Sequence, residues 1–233
     1  YGTVEFGADG LVTAFREKPG ADQLPEVRFA EHPDGRDFLA SMGIYVFRKQ
    51  FLIDLLTESD AMDFGRDVLP RSVDKHKVSA YIYDGYWEDV GTIRSFYEAN
   101  LALTATAPNF NFYDFNSPIY THPRNLPGSK LNSCSIHQSI VSEGCILTGC
   151  DVIHSIIGLR SRIGSGTTIK HSMIMGADRF ETIEQLESNT QGGLPHMGIG
   201  NHCTIINAII DKDVRIGDNV AIINAHNLQQ KDD

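Results

Sequence analysis

Positive charge is the first thing this chain has little of: 20 Lys and Arg stand against 30 Asp and Glu, for a formal net charge of −10. A chain so acidic suits a phosphate backbone poorly, so no nucleic-acid partner is expected. Any anionic ligand must be held by local Lys and Arg against the global field. Cysteine is also scarce. Cys134, Cys145, Cys150 and Cys203 match no common zinc spacing, and they read as small, buried, reduced side chains. No apolar run is long enough to cross a bilayer, so no membrane partner is expected. The opening Tyr1-Gly2-Thr3-Val4-Glu5-Phe6 lacks the basic and apolar regions of a signal peptide and reads as a strand entered partway. The closing Asn227-Leu228-Gln229-Gln230-Lys231-Asp232-Asp233 is polar and forms no closing element. Both ends are therefore expected to be those of a fragment.

What is present divides into two grammars. The 233 residues are 41% hydrophobic, enough for one large core or two smaller ones. Residues 1–105 read as mixed α/β. Thr3–Phe6 and Leu11–Phe15 flank the turn signal Ala8-Asp9-Gly10. Phe38–Phe47 reads as a strand with Ser41, Gly43 and Tyr45 on one face, and Val78–Tyr83 as another. Phe51, Leu52, Leu55 and Leu56 have helical spacing. Asp63 is placed to cap a short helix carrying Val68 and Leu69, and Thr92 to cap one running through Phe96 and Ala99. Such alternation argues for an α/β sheet.

Residues 106–133 form a connector holding four prolines and Phe110, Phe112, Tyr113 and Phe115. That apolar content predicts a packed segment rather than a flexible one. From 134 to 233 an internal repeat takes over. Ile140, Ile146 and Val152 are six apart, as are Ile157, Ile163 and Ile169, then Ile199 and Ile205, then Ile216 and Ile222. Short β segments of this period stack into a parallel β-helix, each coil burying its apolar side on the next. The stretch 176–197 breaks the repeat and is expected to be a loop leaving one edge.

Several short motifs carry polar chemistry. In Phe15-Arg16-Glu17-Lys18-Pro19-Gly20, Pro19 biases Lys18 towards an extended backbone. The Lys18 ammonium suits a phosphate and Glu17 can accept from sugar hydroxyls; a charged strand end before a turn explains them equally. In Ala40-Ser41-Met42-Gly43, Ser41 can bond a sugar hydroxyl, and Gly43 permits close approach of a ligand. In Trp87-Glu88-Asp89-Val90-Gly91, the carboxylates point to opposite faces of an extended segment. A buried Asp89 beside Gly91 would suit Mg²⁺; it can also simply brace the following helix. Arg124, in the connector run His122-Pro123-Arg124, and Lys212, next to Asp211 in the repeat, could together make an anion site or be scattered surface charges. Nine His are dispersed, with His137, His154 and His171 recurring at spacings of 17 within the repeat. No Ser/His/Asp nucleophile arrangement is visible.

Taken in order, FREKP (15–19), ASMGIYVF (40–47), DFGRDVLP (63–70), GYWEDVGTIRSFYEANLAL (85–103), PIYTHPRNLP (118–127), HSIIGLRSRI (154–163), MGAD (175–178) and IIDKDVRIGDN (209–219) resemble the ADP-glucose pyrophosphorylase family, bacterial and plant type. The resemblance implies the C-terminal part of a Rossmann-like nucleotidyltransferase domain followed by a left-handed β-helix. The left hand is an exception to the usual crossover rule and comes from the resemblance alone. It implies ATP plus glucose 1-phosphate giving ADP-glucose and pyrophosphate, for glycogen or starch synthesis. Glu17 and Lys18 would hold the sugar phosphate, Ser41 would contact glucose, and Asp89 would bind Mg²⁺. His122, Arg124, Asp211 and Lys212 match an allosteric anion pocket, so anionic effectors are expected. A homotetramer in the cytoplasm, or in a plastid for a plant-type source, is implied as well.

The same resemblance implies that the Gly-rich nucleotide loop, a second metal-binding Asp and the base-recognition strand would precede Tyr1. A last coil with an effector-binding Lys would follow Asp233. On that reading the polypeptide alone is expected not to turn over. Three alternatives stand beside it: a pyrophosphorylase for another nucleotide or sugar, a non-catalytic regulatory subunit of this family, and a hexapeptide acyltransferase with a His base, which the first hundred residues oppose.

Overall fold

The structure is a computed structural model that describes residues 2–20, 22, 38–57 and 60–225. Tyr1 and the polar stretch 227–233 lie outside the described residues. Two compact units divide between Trp87 and Glu88.

The first unit is built on the expected hairpin. β1 (Thr3–Phe6) and β2 (Val12–Arg16) pair antiparallel, with Val4 opposite Phe15 and a bulge between Glu5 and Phe6. The turn closes as its residue types predict. The Gly10 N–H donates to the Gly7 carbonyl at 2.9 Å, Asp9 Oδ1 accepts from the Leu11 N–H, and Gly10 takes φ +76°. Leu39–Ser41 adds along β1 and Val78–Ala80 along β2, each through a single isolated bridge, Thr3 to Ala40 and Leu11 to Ser79. The two longer strands expected at Phe38–Phe47 and Val78–Tyr83 do not form. Past Ser41 and Ala80 no described residue offers a backbone ladder, Gly43 turns at φ +72°, and Val46 and Tyr81 stand almost fully exposed.

Helix α1 (Lys49–Thr57) follows from the expected apolar spacing. Asp63 caps what comes next, its side chain accepting from the Arg66 N–H at 2.8 Å. The first turn is a π-turn (Phe64–Val68), continuing into α2 (Leu69–Lys75) with Pro70 in its first turn. Val68, Leu69 and Ser72 are the buried residues of this segment, and the helix packs on β2.

The second unit opens with α3 (Ile93–Ala102). Thr92 caps it as expected, in a reciprocal box with Ser95. The β-helix follows as three parallel sheets. The first face is β3 (Lys130–Asn132), β6 (Ile146–Thr148), β9 (Arg162–Ile163), β12 (Gly198–Ile199) and β15 (Arg215–Ile216). The second is β4 (Ser135–His137), β7 (Asp151–Ile153), β10 (Thr168–Lys170), β13 (Thr204–Ile206) and β16 (Ala221–Ile222). The third is β5 (Ile140–Val141), β8 (Ile156–Ile157), β11 (Met173–Ile174) and β14 (Ile209–Ile210). Each coil visits the faces in turn, giving about five turns. Its first strand falls within the expected connector.

The inward column residues are Leu147, Ile163 and Ile199 on one face, Val152, Ile169 and Ile205 on the next, and Ile157, Ile174 and Ile210 on the third. Ile140 and Ile146, counted in by the strict period of six, are off register. Ile140 is exposed and Ile146 half-buried, while Val141 and Leu147 turn inward. The spacing between inward residues is five at some corners and six at others, and a one-residue slip moves a side chain to the other face. Polar groups inside are paired. Ser139, Ser155 and Ser172 form a ladder in which each hydroxyl accepts from the backbone N–H one coil on.

The interruption at 176–197 is helical rather than a bare loop. Thr182 and Gln185 form a capping box, α4 spans Ile183–Gln191, and Gly192 ends it. The connector also departs from expectation. Phe110 and Phe112 meet edge-on at 5.0 Å, and Phe112, Tyr113 and Phe115 are exposed rather than packed.

Candidate functional site

Strand β2 ends at Arg16 in a bend that places Glu17 half-buried and Lys18 exposed. Lys18 is not extended as Pro19 would bias it. It sits at φ +45°, the left-handed conformation of a tight turn. The Glu17 carboxylate lies between two glycines. A Cβ on Gly65 would stand 2.4 Å from Oε2, and one on Gly2 3.0 Å from the same atom. Gly2 in turn accepts the Ser41 N–H on its carbonyl at 2.8 Å. Three motifs far apart in sequence therefore meet around one backbone position.

The Ser41 hydroxyl is itself placed. It lies 2.9 Å from the Tyr45 hydroxyl and accepts from the Gly43 N–H at 3.3 Å. The Tyr45 ring stacks on Phe64 at 6.4 Å and 7°, directly before Gly65. Asp67 locks the start of that turn, accepting from the Met62 and Asp63 N–H groups. Those bonds hold its carboxyl below the ordinary range. A carboxylate, two hydroxyls and an aromatic pair beside an exposed ammonium suit a polyhydroxy anion. Tyr45 and Phe64 were not singled out from sequence, although Tyr45 shares the alternating face of Ser41.

Asp89 belongs to the second unit. It is exposed rather than buried, as is Glu88, and its two carboxylate oxygens each lie 3.2 Å from where a Gly91 Cβ would be. Among the described residues no three His, Cys, Asp or Glu side chains group to hold a metal. One carboxylate fits Mg²⁺ nonetheless, since that ion commonly takes one or two carboxylates and completes its shell with water and substrate phosphates.

The expected anion residues converge in part. The Lys212 ammonium pairs with Asp178 Oδ1 at 3.0 Å. That bond holds the Asp178 carboxyl below its ordinary range against desolvation, and the charges of Lys212, Arg160 and Arg124 add to it. Arg160 donates to the Ala177 carbonyl at 3.1 Å and lies over the Phe180 ring. Gly176, at φ +88°, lets the chain pass so closely that a Cβ would stand 2.3 Å from the Leu159 carbonyl oxygen. Asp211 orients the turn, its Oδ1 accepting the Lys212 N–H, and His122 contributes its carbonyl to Arg124 at 3.3 Å. Arg160 and Asp178, the two residues that complete the cluster, were visible only as letters within longer motifs.

Two other features stand outside these clusters. His154 and His171, on adjacent coil corners at φ +45°, share a bond between Nδ1 atoms at 2.9 Å, while His137 meets Ser135 instead. An open groove of about 680 Å³ runs along β6, β9 and β12 beside residues 193–197, and contains none of the expected site residues. Among the described residues no helix is long and apolar enough to cross a membrane.

Comparison with known families matches residues 1–106 to the Nucleotidyl transferase family and residues 124–233 to the GLGC left-handed parallel beta-helix domain. A nucleotidyl transferase domain followed by this β-helix matches the architecture of the ADP-glucose pyrophosphorylase family.

Proposed function

We propose that the chain provides the sugar-phosphate side of a glucose-1-phosphate adenylyltransferase, which joins ATP and α-D-glucose 1-phosphate into ADP-glucose and pyrophosphate for glycogen or starch synthesis. The observation that carries this reading is the seating of Glu17 between Gly2 and Gly65, with Ser41 bonded to the same Gly2. Glu17 and Ser41 accept from and donate to glucose hydroxyls. Lys18, exposed at the rim, takes the phosphate and aligns its oxygen for in-line attack. The nucleophile is already an anion, so the residues position it and neutralise charge rather than remove a proton. Mg²⁺, when bound, supplies further charge neutralisation on the phosphates, and Asp89 is the residue that would hold it.

The test is calorimetry of glucose 1-phosphate with Mg²⁺ against the chain, Lys18→Ala and Asp89→Asn. Binding that Lys18→Ala removes, and that Asp89→Asn weakens less, is the expected result. A folded chain that does not bind the sugar phosphate overturns the reading. A second reading, a non-catalytic regulatory subunit of the same family, draws on the cluster of Arg124, Arg160 and Lys212 around Asp178. It predicts retained binding of an anion such as sulfate without glucose 1-phosphate binding.

A further inference from the structure

Cys134 and Cys150 occupy the same position on successive coils. Each stands one residue before a strand of the second face, and those strands pair in register, Ser135 to Asp151. The Ser135 N–H donates to the Cys150 carbonyl at 2.9 Å, and the two sulfurs lie 3.6 Å apart. The other thiols have different company. Cys145 Sγ faces the Gly158 carbonyl at 3.1 Å. Cys203 shares the column of Cys134 and Cys150 but is separated from Cys150 by Thr167, whose hydroxyl accepts the Cys203 N–H at 3.0 Å. Cys150 is buried, whereas Cys134 is half-buried and reachable.

We propose that Cys134 and Cys150 form an oxidation site, in which a low-molecular-weight disulfide converts the thiol pair into a disulfide linking the first two coils. Neighbouring parallel strands lie about 4.8 Å apart, within the span of roughly 4.4–6.8 Å that a disulfide tolerates between Cα atoms. The sulfurs need to approach by about 1.5 Å to reach bonding distance. Cys134 enters first. Its thiolate attacks one sulfur of the small disulfide, whose S–S bond breaks, and the released thiolate takes up the proton Cys134 has lost. Cys150 then gives up its proton, attacks Cys134 Sγ and expels the second small thiol. Two protein thiols lose two electrons in all, and one small disulfide becomes two thiols. Burial, with the Cys134 sulfur alongside, pushes the Cys150 thiol up to about 12. Cys150 is the less accessible of the two, so the small disulfide meets Cys134 first and the mixed disulfide forms there before the link closes.

The inference is independent of the sugar-phosphate reading. Its test is incubation of the folded chain with oxidised glutathione, followed by blocking of free thiols and non-reducing peptide mapping. The expected product joins the peptide containing Cys134 to that containing Cys150, and a thiol reductant reverses it. Cys150→Ser should stop at a glutathione adduct on Cys134, and Cys134→Ser should give neither adduct nor link. Wild-type chain that keeps all four thiols, or that links any other pair, overturns the proposal whether or not the variants fold.

Discussion

The Glu17 carboxylate rests on the backbone of Gly65, so close that a methyl group there would stand 2.4 Å from Oε2 and 2.7 Å from Cδ. Only glycine leaves that room. The obstacle is the end of a flexible side chain, so Gly65→Ala should move Glu17 rather than the helix. The expected outcome is an intact fold with glucose 1-phosphate binding weakened roughly ten-fold or more, the loss of about one charged hydrogen bond. Calorimetry beside a melting curve separates the two effects. An unchanged affinity would mean that the carboxylate does not touch the sugar.

Asp178 is an exposed carboxylate set among cations. Its carboxylate holds the Lys212 ammonium at 3.0 Å and feels Arg160 and Arg124. If this cluster receives an anionic effector, Asp178 competes with it for Lys212. Asp178→Asn should therefore tighten sulfate binding several-fold and steepen its dependence on salt, because one opposing charge is gone. Arg160→Ala should weaken it. Sulfate titrations at two ionic strengths check both, and equal affinity in wild type and Asp178→Asn would exclude competition.

How far a sequence reveals such a fold depends on what the physics of each segment makes periodic. In the β-helix Ile169 has its partners one coil away on each side, Val152 and Ile205, and all three are fully buried. The repeat shows this because every coil solves the same packing problem. Where corners shorten to five residues the count slips, and a strict period of six points Ile140 inward although it is exposed. A cavity experiment separates them. Ile169→Ala should cost about 2–5 kcal/mol, and Ile140→Ala less than about 1 kcal/mol, measured by denaturant unfolding. The site was less legible. Glu17, Lys18 and Ser41 could be named from short motifs, but the meeting of Glu17 and Ser41 at Gly2 depends on a bridge between residues 3 and 40 that no local pattern encodes. Tyr45 and Phe64 join the site through a stacking contact across nineteen positions, and Arg160 joins Asp178 through the stacking of coils.

Glu181 holds the helical insertion to the β-helix. Its side chain is only 3% exposed and pairs with Arg215 at 2.6 Å. It also accepts from the Met197 N–H and from Asn189, each at 2.7 Å. Burial by itself would raise this carboxyl, but the Met197 N–H and the Arg215 guanidinium outweigh it and hold it below its ordinary value. A carboxyl lowered by folding stabilises the folded state above its unfolded pKa. That contribution is lost as pH falls through the folded value. The anchor should thus be complete near neutrality and fail only in acid, below the ordinary glutamate range. Glu181→Gln removes the charge while keeping the shape, and should weaken the attachment of residues 178–197 by about 2 kcal/mol. Hydrogen exchange at the Met197 amide reads it directly. Faster exchange in the variant at neutral pH, approached by wild type only on acidification, is expected. Identical protection in both at neutral pH would mean that the contacts of α4, not this carboxylate, hold the insertion in place.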